Sequence, residues 1–110
     1  MPSYAIGHIT EVHRGAEIAE YVARIDATLQ PFGGRFLIHG TVAEPIEGEW
    51  NAAVVVIEFP DRAAVRAWYD SPEYRAILPL RLAHAKGSVC FVDGVPPGYR
   101  AADWLAKESA

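Results

Sequence analysis

Four β-branched residues in succession, Val54, Val55, Val56 and Ile57, constrain this chain more than any other feature. Such side chains are stiff about χ1 and suit an extended backbone. No polar residue interrupts them, so the strand they form is covered on both faces and belongs inside a sheet. Its end is marked as well. Glu58 and Phe59 lead into Pro60, which cannot donate to a ladder, and Asp61, which can accept from the free amides of a helix's first turn.

The stretch 50–81, WNAAVVVIEFPDRAAVRAWYDSPEYRAILPLR, therefore reads as a strand over 51–59, a turn, a short helix, a break and a second helix. Ala64, Val65, Trp68 and Tyr69 make the apolar stripe of the first helix. Ser71 as cap and Pro72 at the first helical position restart the chain in the second. Tyr74, Ile77, Leu78 and Leu82 continue the helical spacing, and Pro79 is expected to kink or break that helix.

The rest of the chain alternates in the same way. Residues 4–10 form a strand with Tyr4, Ile6, His8 and Thr10 on one face. Ala5, Gly7 and Ile9 lie on the other, whose small residues would let a helix lie close. Ile18, Tyr21, Val22, Ile25 and Leu29 give a helix over 16–29, ended by Pro31. Gly33 and Gly34 supply a turn with a positive φ. In the strand over 35–42, strict alternation puts Arg35, Leu37 and His39 on one face and Phe36 and Ile38 on the other. Glu44, Glu47 and Glu49 read as a solvated hairpin end, since the ligand spacing of a calcium loop is absent. Gly87 turns the chain into a last strand over 88–93. The domain closes at residue 97, and residues 98–110 form a tail or a short docking helix carrying Trp104 and Leu105.

The order strand, helix, strand, strand, helix, strand is the split βαβ pattern, an α+β ferredoxin-like fold with a four-stranded antiparallel sheet. Two helices cover one face. The other face stays apolar, and burial against a second copy is the expected solution. A formal charge of −4 and scattered basic residues, with Lys86 and Lys107 the only lysines, argue against nucleic acid as a partner. Cys90 is the sole cysteine, so no intrachain disulfide forms, and it reads as a small buried hydrophobe. No leader pattern opens the chain, and no segment nears the roughly 20 apolar residues of a membrane span. A soluble cytoplasmic protein is expected.

The segments GGRFLIHG (33–40), EGEW (47–50), VVIEFPD (55–61) and AWYDSPEYRAILPLR (67–81) carry a resemblance over residues 3–94. Together they resemble the uncharacterised family known as domain of unknown function thirteen-thirty. That family is similar to the dimeric α/β-barrel superfamily, which includes small cofactor-independent monooxygenases, muconolactone isomerase-like enzymes and chlorite-dismutase-like haem proteins. The resemblance implies a homodimer whose sheets pack face to face, a cleft between sheet and helices in each subunit, and no agreed reaction.

Within that frame His39 is the candidate general base, Glu58 the carboxylate that orients it, and Arg35 the cation that stabilises an enolate or carboxylate substrate. The set works only if the second strand brings His39 to Glu58. His8 is a second histidine within reach of Glu58, and Trp50, Trp68 and Tyr74 are candidate pocket walls. Each has a structural alternative: a histidine satisfied by one hydrogen bond, and aromatic residues at helical spacing that are simply core. Asp70, Tyr74 and Arg81 form a second set, whose structural reading has Asp70 and Ser71 bonding backbone amides and Arg81 pairing a carboxylate. His8, His39 and Glu58 are the right types for a metal but lack a ligand spacing. No serine elbow or dinucleotide fingerprint is present, and no cofactor is expected. The readings are a cofactor-independent enzyme abstracting a proton from a small organic acid or aromatic in a sealed pocket, a non-catalytic ligand-binding module, and a structural dimer with no cleft.

Overall fold

The computed structural model describes residues 1–109. In chain order these are β1 (Ser3–Val12), α1 (Ala16–Leu29), a 3-10 turn (Gln30–Phe32), β2 (Arg35–Val42), β3 (Ala53–Phe59), α2 (Arg62–Asp70), α3 (Pro72–His84), β4 (Ala85–Asp93) and α4 (Ala101–Ser109). The strands form one antiparallel sheet in the order β2-β3-β1-β4, with the valine-rich β3 inside as its composition requires. This is the α+β ferredoxin-like arrangement. Among the described residues no helix is long and apolar enough to cross a membrane.

Pairing between β1 and β3 sorts the two faces. Tyr4 lies opposite Glu58, Ile6 opposite Val56 and His8 opposite Val54 on the face away from the helices; Ala5 opposite Ile57 and Gly7 opposite Val55 look toward them. The core sits on the helix side and joins Ile25 and Leu29 of α1 to Ile57 and Phe59, to Val65 and Trp68 of α2, and to Tyr74, Ile77 and Leu78 of α3. The helix starts use the caps that the sequence offers. The Asp61 carboxylate accepts from the Ala64 amide at 2.8 Å. The Ser71 hydroxyl accepts from the Tyr74 amide at 3.2 Å and donates to the Trp68 carbonyl at 2.7 Å, so one side chain ends α2 and begins α3.

Several local expectations are corrected. Pro79 does not break α3, which runs through it and forgoes the one hydrogen bond that a proline nitrogen cannot make. β4 begins at Ala85, directly after α3, and Gly87 lies within the strand instead of turning into it. A Cβ on Gly87 would stand 2.2 Å from the His8 carbonyl oxygen, which leaves glycine as the residue that fits. Leu82 is exposed, and Arg81 holds the inward position in its turn of α3. Cys90 is exposed on the open face beside Ile6, because the helices cover only the other side of the sheet.

The correction with most consequence is in β2. Its register against β3 shifts between Phe36 and Ile38 and again between His39 and Thr41, where Gly40 has φ 67°. A bulge adds a residue to one strand and reverses the alternation beyond it. Phe36 and His39 therefore share the helix face, while Arg35 and Ile38 share the open one.

Gly34 packs where a side chain has no room: a Cβ there would stand 2.7 Å from Phe59 and 2.9 Å from Leu29. Gly34→Ala should destabilise the fold by about 1–3 kcal/mol through overpacking. Urea unfolding measures this, and an unchanged midpoint would show that the turn after α1 yields freely.

Candidate functional site

Helix α1 packs on α3 and on the 3-10 turn, whereas α2 is the helix that lies on β1, β3 and β4. Only the C-terminal half of α1, with Ile25, Thr28 and Leu29, is buried. Under its N-terminal half lies a cleft of about 470 Å³. Ala5, Gly7, Ala53 and Val55 form its floor, and Ile18, Tyr21 and Val22 its roof. The small residues of β1 thus leave space under α1, where the sequence reading has a helix lying close. The cleft is open toward solvent, not sealed.

Two polar regions interrupt this apolar lining. On the helix side the hydroxyls of Tyr21 and Tyr74 are 2.7 Å apart, and the Arg81 guanidinium lies against both. Burial pushes the pKa of the Tyr21 hydroxyl well above the usual tyrosine range, with Tyr74 adding to the shift; Arg81 pulls the other way without offsetting it. Desolvation works against the charge on Arg81, and the contacts with Tyr74 and Tyr21 together hold its pKa above the ordinary value. On the β2 side His39 stacks on Phe36 with ring centroids 4.5 Å apart. Trp68 and Tyr69 complete the wall, and Arg14 stands at the lining after β1.

The sequence-derived set is divided between the faces. Arg35 and Glu58 do meet, Nε to Oε1 at 2.9 Å, and Tyr4 adds a longer contact at 3.4 Å from its hydroxyl to Oε2 of Glu58. That group lies on the open face. His39 lies on the other, so the bulge parts the expected base from the expected carboxylate. His8 is also on the open face, edge-on to Trp50 at 5.4 Å, and the Trp50 ring nitrogen donates to the Ala52 carbonyl at 2.9 Å. His8 and Trp50 therefore stand outside the cleft, while Trp68 and Tyr74 line it. The same division separates His8 and Glu58 from His39 as joint metal ligands, and among the described residues no group of three His, Cys, Asp or Glu side chains is placed to hold a metal. Asp70 pairs with Arg75 at 3.0 Å, and Arg81 faces the tyrosine pair instead of a carboxylate.

Tyr21 was the residue that sequence reasoning passed over for chemistry, and Arg81, named with Asp70 and Tyr74, was expected to meet a carboxylate and not this pair of hydroxyls. A signal existed for both. Tyr74, Ile77, Leu78 and Arg81 are spaced by three, one and three residues, which sets a charge on the apolar stripe of α3. The α1 stripe, from Ile18 to Leu29, is longer than the buried core beneath it.

The raised Tyr21 pKa has a definite sign for stability. Below about pH 10 the hydroxyl is protonated in both folded and unfolded chains and its contribution is fully present. As the pH rises further the unfolded chain releases this proton first, so stability falls. Unfolding curves between about pH 9 and pH 11 should show a steeper loss for the natural chain than for Tyr21→Phe. Parallel losses would mean that Tyr21 ionises as freely folded as unfolded.

With the geometry in hand, the chain can be set beside known proteins. Among curated proteins no relative matches it. Solved structures share its fold at low identity. A protein of unknown function from Rhodopseudomonas palustris is 18% identical with a TM-score of 0.62, over 87% of this chain and 84% of that one. A dimeric ferredoxin-like protein of unknown function from Jannaschia sp. CCS1 is also 18% identical with a TM-score of 0.62, over 87% of this chain and all (100%) of that one. SnoaB, a cofactor-independent oxygenase from Streptomyces nogalater, is 18% identical with a TM-score of 0.61, over 90% of this chain and 98% of that one. At these identities the likeness is one of fold. The sequence profile of one family, described as a domain of unknown function (DUF1330), spans residues 2–95, and the chain belongs to that family.

Proposed function

We propose that this protein is a cytoplasmic homodimer that binds a small organic acid or aromatic compound in the cleft beneath α1 and moves a proton on it without a cofactor. The observation that carries the reading is the cleft itself: about 470 Å³, largely apolar, with His39 on one side and the Tyr21–Tyr74–Arg81 group on the other. A cavity of this volume suits one small organic molecule, with a few polar groups to orient it. An imidazole is well suited to accept a proton near neutral pH, and a neighbouring guanidinium or hydroxyl can stabilise the oxygen on which negative charge develops. A purely structural dimer has no use for such a space. That SnoaB is a cofactor-independent oxygenase adds support by analogy of fold alone.

Glu58 and Arg35 take a different place in this reading. They pair on the open face, which also carries Ile6, Val54, Val56, Cys90 and Val92. An apolar sheet face of this kind fits a second copy packed against it, giving a dimeric α/β barrel, and the Jannaschia protein is described as dimeric. Residues 1–97 act as the folded domain. In the segment that follows, α4 (Ala101–Ser109) carries Trp104 and Leu105, which are 55% and 61% exposed and suit docking on the partner.

One observation favours binding without turnover. His39 is exposed and stacks on Phe36, and Glu58, the carboxylate expected to orient it, faces the other side of the sheet. Turnover screens with enolisable acids and activated phenols separate the two readings. An active chain that loses about 100-fold or more in kcat on His39→Ala identifies the base; undiminished turnover removes His39 from the chemistry. Binding in the cleft with no turnover leaves the non-catalytic module.

The dimer has its own test. Light scattering should give about twice the 12.0 kDa chain mass, and Val56→Lys on the open face should give a folded monomer. A natural chain that runs as a monomer would remove the face-to-face assembly.

A further inference from the structure

We infer that the Tyr21–Tyr74–Arg81 cluster is an anion seat, and that the cleft takes a flat organic monoanion with its charged oxygen toward this cluster and its apolar body along the floor. The inference rests on the cleft being a ligand site and adds the charge and orientation of the ligand.

The first support is the charge count of the lining. The whole chain is acidic, with 14 Asp and Glu against 10 Lys and Arg. Yet among the described residues the charged side chains lining the cleft are Arg14 and Arg81, and no carboxylate is part of the lining. His39 adds a third group able to carry positive charge. An acidic protein whose cleft is lined only by cations presents the field of an anion site.

The second support is the bookkeeping of protons in the cluster. Tyr21 and Tyr74 are 2.7 Å apart, so one hydroxyl donates to the other. The two hydroxyls hold two protons, and that bond uses one, which leaves one O–H to donate elsewhere. Arg81 cannot give up its charge and brings donors only. The hydroxyl oxygens can accept from it, but they cannot neutralise it, since burial keeps Tyr21 protonated. The cluster is thus rich in donors and positively charged, and among the described residues the cleft lining brings it no carboxylate. A carboxylate or enolate oxygen supplies what is missing: negative charge and lone pairs for the guanidinium fork and the remaining hydroxyl.

The third support is shape. In the floor under the roof of α1 the small residues Ala5, Gly7 and Ala53 lie among Ile9, Val55 and Ile57, and Trp68 and Tyr69 stand as aromatic wall. A flat ring system fits such a slot better than a branched or sugar-like one, whose hydroxyls would find no partners there.

The test uses the full chain and a pair of isosteric probes, 2-naphthoate and neutral 2-naphthamide, with binding measured by calorimetry at fixed ionic strength. The natural chain should bind the anion about tenfold or more tightly than the amide. Arg81→Met should erase that preference while leaving the amide nearly unaffected, and Ile18→Trp, which fills the roof of the cleft, should weaken both. Should Arg81→Met fail to fold by circular dichroism, Arg81→Lys decides: it keeps the charge and loses the planar fork, so a reduced preference supports the seat and an unchanged one overturns it. Equal binding of both probes, lost in Ile18→Trp, would overturn the anion seat and leave the cleft as a ligand site. Binding of neither probe, or binding unaltered by Ile18→Trp, would overturn both.

Discussion

Trp68 is the side chain on which the arrangement of this molecule turns. It is buried, its indole nitrogen donates to the Thr28 hydroxyl at 3.0 Å, and Thr28 passes that bond to the Ile25 carbonyl at 2.7 Å. Its ring lies 4.1 Å from that of Tyr74 and 5.3 Å from that of Phe59. One residue of α2 thereby ties together α1, α3 and the end of β3. A bulky ring at this position fixes the C-terminal half of α1 against the other helices. The N-terminal half continues beyond that contact, over a stretch of sheet where Gly7 and Ala53 leave room between Ile9 and Val55. The cleft is what remains when a helix is held at one end and the sheet beneath the other end is built from small residues.

The sheet consequently carries two different surfaces. On the helix face small residues, aromatic rings, two arginines and one histidine enclose a space. On the open face aliphatic residues surround the Arg35–Glu58 pair and the Tyr4 hydroxyl. Glu58 is only partly exposed and Arg35 largely so, with side-chain exposures of 24% and 71%. An ion pair in that setting contributes at most about 1 kcal/mol to the isolated chain. On the proposed dimer reading, a charged pair within an apolar face would serve specificity more than stability, since polar groups can fix the register of a self-associating surface. Cys90 belongs with this face beside Ile6, whereas its sequence neighbours Val89 and Phe91 turn to the helix side.

The parts of this structure that were legible in the sequence are those decided locally. The valine run fixes the interior strand, Asp61 and Ser71 fix helix starts because their oxygens reach free amides, and the order of elements fixes the topology. What escaped depends on relations between strands. Period-two alternation places His39 beside Arg35, and only the pairing with β3 shows that extra residues intervene and turn His39 over. The shift that turns His39 over lies at Leu37, which carries no mark in the sequence; Gly40, a glycine at positive φ in a strand, accompanies the second shift, beyond His39. That Arg81 meets Tyr21 is a relation of the same kind: it joins α3 to α1, and the periodicity of neither helix shows it. Whether the cysteine is buried could not follow from one chain's sequence at all, because it depends on what covers the open sheet.

These relations also explain why the functional expectation moved and did not vanish. The chemical types first singled out, a histidine, a cation and aromatic walls, are all present around one cleft, but the cation is Arg81 on α3 and not Arg35 on β2. An arginine on an apolar helix stripe is costly to hold there unless its donors are met. Two tyrosine hydroxyls meet some of them, and the last turn of α3 favours a cation through its exposed carbonyl ends. Neither supplies a full negative charge. A buried stripe that keeps such a residue is therefore better understood from what enters the cleft than from the fold, since Ile or Leu at position 81 would serve packing alone at lower cost.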